Sequence, residues 1–366
     1  MGAQIFALDS EGRWVRPKDA ITGHRTESYR IDLLNQDDVM VAKLLGVTGG
    51  QFTFNVNAPI RGGGSIEYLG EKIDWNTHRI QPWYQTSAGD EFQEWPLGVF
   101  LVATPDTEYS DTGRAVTLEM YDKTQILNDD QLPSTYQVPT GTNIITAVRT
   151  VLAEAGQTRT AIEDTDQVLA NGMVWPAGSS RLRIINDLLQ AANYFSIWAD
   201  GDGVFRTGPY LAPSNRGISW AFQDDERSIY SPDFSHNFDT FNVPNRVVVI
   251  GQSDGEEEAP VAVVEDTSGG PFSYQTRGRW ITRTEEGQEA ADQAGLEAIA
   301  QRFLQEGQQV GSTFQIKHAP IPLELHSAVA FRRGTEGIDI QATVQTISYS
   351  MDVGALCSTT LREYTP

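Results

Sequence analysis

The chain has 366 residues, 39% of them hydrophobic and 21% charged, enough to bury a core across two or three domains without a disulfide or metal staple. Its 27 basic residues face 49 acidic ones, a net charge of −22, which argues against nucleic-acid and anionic-lipid binding because phosphate surfaces repel such a chain. A single cysteine, Cys357, rules out an internal disulfide and most cysteine metal sites.

Residues 1–20 are an expected N-terminal arm. Their apolar group (Ile5, Phe6, Ala7, Leu8) is short and soon followed by Asp9 and Glu11, so no export signal is expected. No stretch has the length of a membrane-spanning helix. Residues 21–128 read as strands. Ser28–Leu34 alternates around Tyr29, Ile31 and Leu33, Gln51–Val56 around Phe52, Phe54 and Val56, and Gly64–Leu69 around Ile66 and Tyr68; Val99–Ala103 and Ala115–Met120 follow. Many short strands with turn signals between them point to a sandwich or barrel. Asp111-Thr112-Gly113-Arg114 predicts a tight hairpin, and Gly62-Gly63-Gly64 a flexible turn.

The pattern changes near residue 129. Thr142 is the expected cap of a helix carrying Ile144, Ile145, Val148, Val151 and Leu152, with Gly156 as its stop. A second helix starts at Ser179 or Ser180 with Leu182, Ile185, Leu188, Leu189 and Ala192 on one stripe, and a hairpin turning at Asp200-Gly201-Asp202-Gly203 follows. Residues 129–212 are therefore an expected small α+β domain. From 213 strands return, including the buried run Val247–Ile250. Residues 252–272 are an expected acidic loop, 284–305 an expected helix, and the segments from Thr313 to Tyr364 strands. The fold class is mainly β with an α+β insertion.

Chemistry is scarce. His24, His78, His236, His318 and His326 have no metal-ligand spacing. The Gly62–Gly64 run lacks a phosphate loop's lysine, and Asp200–Gly203 lacks the remaining calcium ligands. No catalysis, metal or cofactor is expected. The cluster Trp75, Trp83, Tyr84, Phe92 and Trp95 reads as a core or interface plug, with sugar stacking as the alternative. Trp75, Trp83, Tyr84 and Trp95, with Glu256, Glu257 and Glu258 of the acidic loop, are the candidate interface or lumen residues.

Several segments in order resemble the hub proteins at the distal end of tailed-bacteriophage tails, also called baseplate hub or minor tail proteins. Trp95-Pro96-Leu97-Gly98-Val99-Phe100-Leu101-Val102, followed by Val116–Asp122 and Gln125–Leu127, looks like the family's opening barrel. Leu182–Phe205 is similar to its inserted helix-and-hairpin domain, and Asn245–Gly251 to the strand that opens its second barrel. Val344–Tyr349, Gly354 and Thr359–Arg362 resemble its closing hairpin. The resemblance implies two tube-type β-barrel or sandwich domains, 21–128 and 213–366, flanking the domain at 129–212. It implies a homotrimer presenting six similar units, so that a six-fold tube meets a three-fold tip. The implied partners are the tail tube or distal tail protein, the tape-measure protein, and tip, fibre or receptor-binding proteins. DNA is met only in transit, and no membrane anchoring is implied. The implied location is the virion tail tip, after assembly in the host cytoplasm. Carboxylates lining a channel would keep passing DNA from sticking. Some larger relatives of the family carry a C-terminal peptidase or glycosidase domain; none is expected here after the second strand-rich region, and no catalysis is expected. The competing readings are a carbohydrate-binding adhesion module using the Trp75–Trp95 region and an all-β glycoside hydrolase, which needs paired carboxylates in a cleft.

Overall fold

The structure, a computed structural model, describes residues 19–110, 113–225, 228–238, 241–251, 259–288, 293–308, 312–352 and 354–364. A short helix α1 (Asp19–Thr22) precedes eight strands: β1 (Thr26–Leu34), β2 (Met40–Lys43), β3 (Val47–Asn55), β4 (Gly62–Leu69), β5 (Arg79–Ala88), β6 (Glu91–Pro96), β7 (Phe100–Ser110) and β8 (Gly113–Asp122). Next come α2 (Gln125–Asp129), β9 (Tyr136–Val138), α3 (Ile144–Glu154), β10 (Thr160–Ile162), β11 (Met173–Trp175), α4 (Arg181–Ala191), β12 (Trp198–Ala199) and β13 (Phe205–Thr207). Then follow β14 (Ile218–Gln223), β15 (Tyr230–Asn237), β16 (Arg246–Gly251), β17 (Val261–Glu265), α5 (Tyr274–Arg277), β18 (Thr282–Gln288) and α6 (Gln293–Gln308). The chain closes with β19 (Thr313–His318), β20 (Ala328–Arg333), β21 (Ile338–Ser350) and β22 (Cys357–Tyr364). The fold is mainly β.

The chain divides into two compact units, a smaller one over Ser235–Phe314 and a larger one holding the rest. In the larger unit one hydrogen-bonded sheet takes strands from both ends of the sequence. Its order is β15-β19-β22-β21-β3-β4-β8-β7-β5-β1-β2, with β20 and then β14 branching from β21, and β6 from β5. The joint is β21 against β3, where Tyr349 faces Phe52 and Ile347 faces Phe54. Alternation puts one set of side chains inside. Phe52, Ile66, Ile80, Phe100, Leu118, Val344 and Leu361 are buried. Phe100 lies 5.6 Å from Phe52 and 6.1 Å from Phe54, and Phe54 meets Tyr349 edge-on at 6.2 Å. The two regions expected as separate β modules thus share a sheet and its aromatic packing.

The Gly62–Gly64 run is not a turn but the first part of β4, at the middle of the sheet. A Cβ on Gly64 would stand 2.4 Å from the Gln51 carbonyl oxygen and 2.9 Å from the Phe52 ring. Glycine is there because the neighbouring strand passes too close for any side chain.

Residues 127–205 hold their own buried cluster, including Leu127, Val148, Leu152, Ile185, Leu189 and Phe205. Helices α3 and α4 supply most of it. Asn143, not Thr142, caps α3 by accepting the Thr146 N–H at 2.9 Å, and Ser180 caps α4 by accepting that of Arg183 at 3.3 Å.

In the smaller unit β16 lies between β17, antiparallel, and β18, parallel. Val247, Val249 and Ala262 pack against Leu296, Ala300 and Leu304 of α6. Two expectations are corrected here. Residues 284–305 do not make one helix: Thr282–Gln288 is a strand and α6 begins at Gln293. The acidic stretch 252–272 contains β17, paired with β16 from Val261 to Glu265. Val261, Val263 and Glu265 are exposed while Ala262 is buried; residues 252–258 lie outside the described residues.

Buried His318 ties β19 to β22. Its Nδ1 donates to the Ala319 carbonyl at 2.9 Å, so its Nε2 accepts from the Thr359 hydroxyl at 2.8 Å. That pairing needs the neutral ring, and burial lowers its pKa from 6.5 to about 4. The unfolded chain therefore binds more protons than the folded one between those values, and stability falls as pH drops from 6.5 towards 4. Denaturant melts of the wild type and His318→Gln, which keeps one donor and one acceptor, test this. The wild type is expected to lose about 3 kcal/mol relative to the variant across that window.

Candidate functional site

The sequence-predicted aromatics do not form one surface. Tyr84 on β5 stands opposite Tyr29 of β1 and Trp95 of β6, so these three rings share a face. Tyr84 meets Tyr29 edge-on at 5.4 Å and Trp95 at 4.7 Å. Trp83, one residue earlier, points to the other face, where the Arg30 guanidinium lies 4.5 Å from its ring centroid. Arg30 in turn pairs with Glu94 at 2.7 Å. Trp75 precedes β5 and packs edge-on against Tyr68 at 6.0 Å. Tyr84 and Trp75 are buried, and Trp83 and Trp95 half-buried; only Phe92 is well exposed. Burial and the Glu27 carboxylate push the Tyr84 hydroxyl well above its ordinary pKa. The Nε1 atoms of Trp75, Trp83 and Trp95 are buried with no hydrogen-bond partner among the described residues. Covered rings split over two faces give a sugar no indole platform. Glu256, Glu257 and Glu258 lie outside the described residues.

Two features had no sequence signal. The first is Asp38, in the turn between β1 and β2. Its φ is +60°, a left-handed conformation that aspartate tolerates better than most residues. Asn35 holds the turn by accepting the N–H groups of Asp37 and Val39 at 2.9 Å each. The Asp38 carboxylate, 2% exposed, pairs with Arg79 of β5, Lys123 at 2.6 Å and Arg159 at 3.0 Å. Lys123 is also 2% exposed, and donates to the Gly203 carbonyl at 2.8 Å. Burial lowers its pKa, and the Asp38 bond opposes that. Next to it, Asp122 accepts the Gly62 N–H at 2.5 Å and the Thr124 N–H at 2.8 Å. Burial still raises its pKa. Gln81 adds a bond from β5 to the Gly201 carbonyl at 2.9 Å. The aspartate-glycine turn at 200–203 is thus clamped to the β strands.

The second feature is the outer edge of the sheet. Strand β2 ends the strand order, and all four of its residues are exposed. Val39, Met40, Val41 and Leu45 put apolar surface there. An unpaired apolar edge is a template for another strand. Among the described residues no cluster of His, Cys, Asp or Glu is set to hold a metal.

No protein-family model matches the chain, and no curated protein matches its sequence. Solved structures do match. The tail protein from Neisseria meningitidis MC58 aligns over 92% of this chain and 97% of its own, with TM-score 0.67 and 13% identity. The 43 kDa tail protein of prophage MuSo2 from Shewanella oneidensis aligns over 91% and 98%, at 0.65 and 14%. This chain has the fold of phage tail proteins. Prophage tail protein gp18 from Listeria monocytogenes EGD-e also shares it, over 91% and 94%, at 0.54 and 11% identity.

The Asp38 cluster carries a stability prediction. Asp38→Asn leaves Lys123 buried beside two arginines without its counter-charge. It is expected to cost about 3–5 kcal/mol in denaturant melts, against under about 1 kcal/mol for Asp164→Asn in the surface pair with Arg149. Equal losses for the two variants would refute a structural role for the cluster.

Proposed function

We propose that this chain is a structural component of a bacteriophage tail, a hub at its distal end, and not an enzyme. The observation that carries the reading is the end-to-end fold match to solved tail proteins, above 90% of both chains in each case. In this reading three copies form a ring with pseudo-sixfold character. The ring joins the tail tube or distal tail protein, with the tape-measure protein, to tip, fibre or receptor-binding proteins, and surrounds the path of genome ejection. The net charge of −22 suits a wall that DNA passes without sticking. The domains are the divisions 21–128, 129–212 and 213–366, with assembly in the host cytoplasm. Trp75, Trp83, Tyr84 and Trp95 pack the β5–β6 region behind an interface in this account, and the Glu256–Glu258 carboxylates face a partner or the lumen.

The exposed β2 edge is where a second copy would pair, because closing a ring removes strand edges. Sedimentation of the purified chain, alone and with its neighbouring tail protein, is expected to give a particle of three times 40.4 kDa. Val41→Lys places a charge on that edge and is expected to raise the dissociation constant of the trimer by roughly tenfold or more. A strict monomer under both conditions would refute the ring.

A further inference from the structure

Ahead of β4, β12, β14 and β20 the larger unit gathers two arginines and a histidine that pair with no carboxylate among the described residues. Arg61 stands just before β4, Phe195 and Ser196 before β12, Arg216 before β14 and His326 before β20. Their backbone is pinned. The Arg61 carbonyl accepts the Asn55 N–H at 2.8 Å, and the His326 N–H donates to the Val344 carbonyl at 3.0 Å. Arg216 Nη1 donates to the His326 carbonyl at 2.9 Å, and its Nε and Nη2 to that of Leu211 at 2.9 and 2.7 Å. Its guanidinium lies over Phe195, 5.1 Å from the ring centroid, and the His326 ring lies 4.9 Å from the same ring. Arg61 Nη2 donates to the carbonyl of the next residue, Ser196, at 3.2 Å.

Burial lowers the pKa of both guanidinium groups, that of Arg61 to about 10. Charge taken out of water without a close counter-charge is costly. Asp122 attracts Arg61 from beyond pairing distance, but its oxygens are taken by the N–H groups of Gly62 and Thr124. Only the hydroxyls of Tyr210 and Tyr364 oppose the shift of Arg216. The Nε2 atom of His326 is buried with no hydrogen-bond partner among the described residues. Burial, then Arg61, then Arg216 lower the pKa of that ring from 6.5 to about 4, so both guanidinium groups act on it. The φ of His326 is +65°, a left-handed conformation of the kind that recurs at ligand sites. The surroundings are open to water: Ser196 is exposed, as are Tyr210 and Leu211. An orphaned buried nitrogen between two unpaired cations calls for a ligand.

We propose that Arg61, Arg216 and His326 form a binding site for one small oxyanion, a phosphate or a carboxylate group. A guanidinium has five N–H donors. The carbonyl bonds take one from Arg61 and three from Arg216. The donors left over, with an N–H at His326 Nε2, are what an oxyanion accepts, and its charge is the one that the two arginines lack. The net charge of −22 does not forbid this. Charges farther off than about 8 Å are screened at physiological salt, and those acting on His326 are the two arginines alone. The site stands apart from the tail reading, and its failure would leave that reading intact.

The test is calorimetric titration of the full chain with inorganic phosphate and, separately, with acetate. At least one of them is expected to bind with a Kd of about 1 mM or below, and the tighter of the two names the source of the oxyanion. Arg61→Gln is expected to weaken binding by about tenfold. Arg149→Gln, from the surface pair with Asp164, is expected to bind as the wild type does. Proton NMR of the histidine rings gives a second readout. A bound anion favours the charged ring, so the His326 pKa should rise from about 4 as the anion is added. His318, whose two ring nitrogens already have partners, should not move. His326→Asn, a residue that tolerates the left-handed backbone, identifies the His326 signal and is expected to weaken binding. Should Arg61→Gln fail to fold, His326→Asn and the ring titration carry the test. The proposal is overturned if neither anion gives heat, if Arg61→Gln keeps wild-type affinity, or if the His326 pKa stays put at saturating anion. Equal weakening in Arg149→Gln also overturns it, since that marks diffuse attraction to the surface.

Discussion

One buried carboxylate holds the larger unit together. Asp38 takes Arg79, Lys123 and Arg159, three cations from three separate parts of the chain. Lys123 and Arg79 would be costly to bury alone, and with the exposed Arg159 beside them the three would repel. The carboxylate reverses the sign of that local field. It also fixes geometry: the β1–β2 turn, strand β5, the end of β8 and the loop before β10 meet at one point. Through Lys123 and Gly203 the same point clamps the helical region to the strands. The exposed β2 strand leaves directly from this turn, so the node also sets the position of that sheet edge.

The second constraint is the joining of the two chain ends. Strand β21 pairs with β3 on one side and β22 on the other, so the larger unit cannot complete its core until the last residues are in place. Such long-range pairing costs loop-closure entropy early and is repaid only when the sheet forms. The return is a wide, continuous sheet whose interior is aromatic, with β15 and β2 at the two ends of its strand order among the described residues.

Much of this was legible in the sequence because local periodicity decided it. The alternation in Ser28–Leu34 and Gln51–Val56 gave strands, and the stripes Ile144–Leu152 and Leu182–Ala192 gave helices. Local chemistry misled where tertiary contacts overruled it. Three glycines signal a turn, but at 62–64 they serve the approach of Gln51 and Phe52. Thr282–Gln288 has no apolar alternation of its own and becomes a strand by pairing in parallel with β16. The period of two also decides the fate of the aromatic cluster: adjacent Trp83 and Tyr84 must point to opposite faces. Asp38 had no signal at all, since its partners lie 41, 85 and 121 residues away. The resemblance to tail hubs rested on the order of weak motifs. It was the backbone, with 13% and 14% identity to its solved neighbours, that preserved the likeness.

The claim on which the functional account turns is a place in a symmetric tail assembly. Electron cryomicroscopy of assembled tails, with this chain located by a fused tag, tests it most directly. The account predicts three copies around the tail axis at its distal end, each contributing two similar positions to a six-fold neighbour. A single copy off the axis, or a chain absent from the particle, would contradict it.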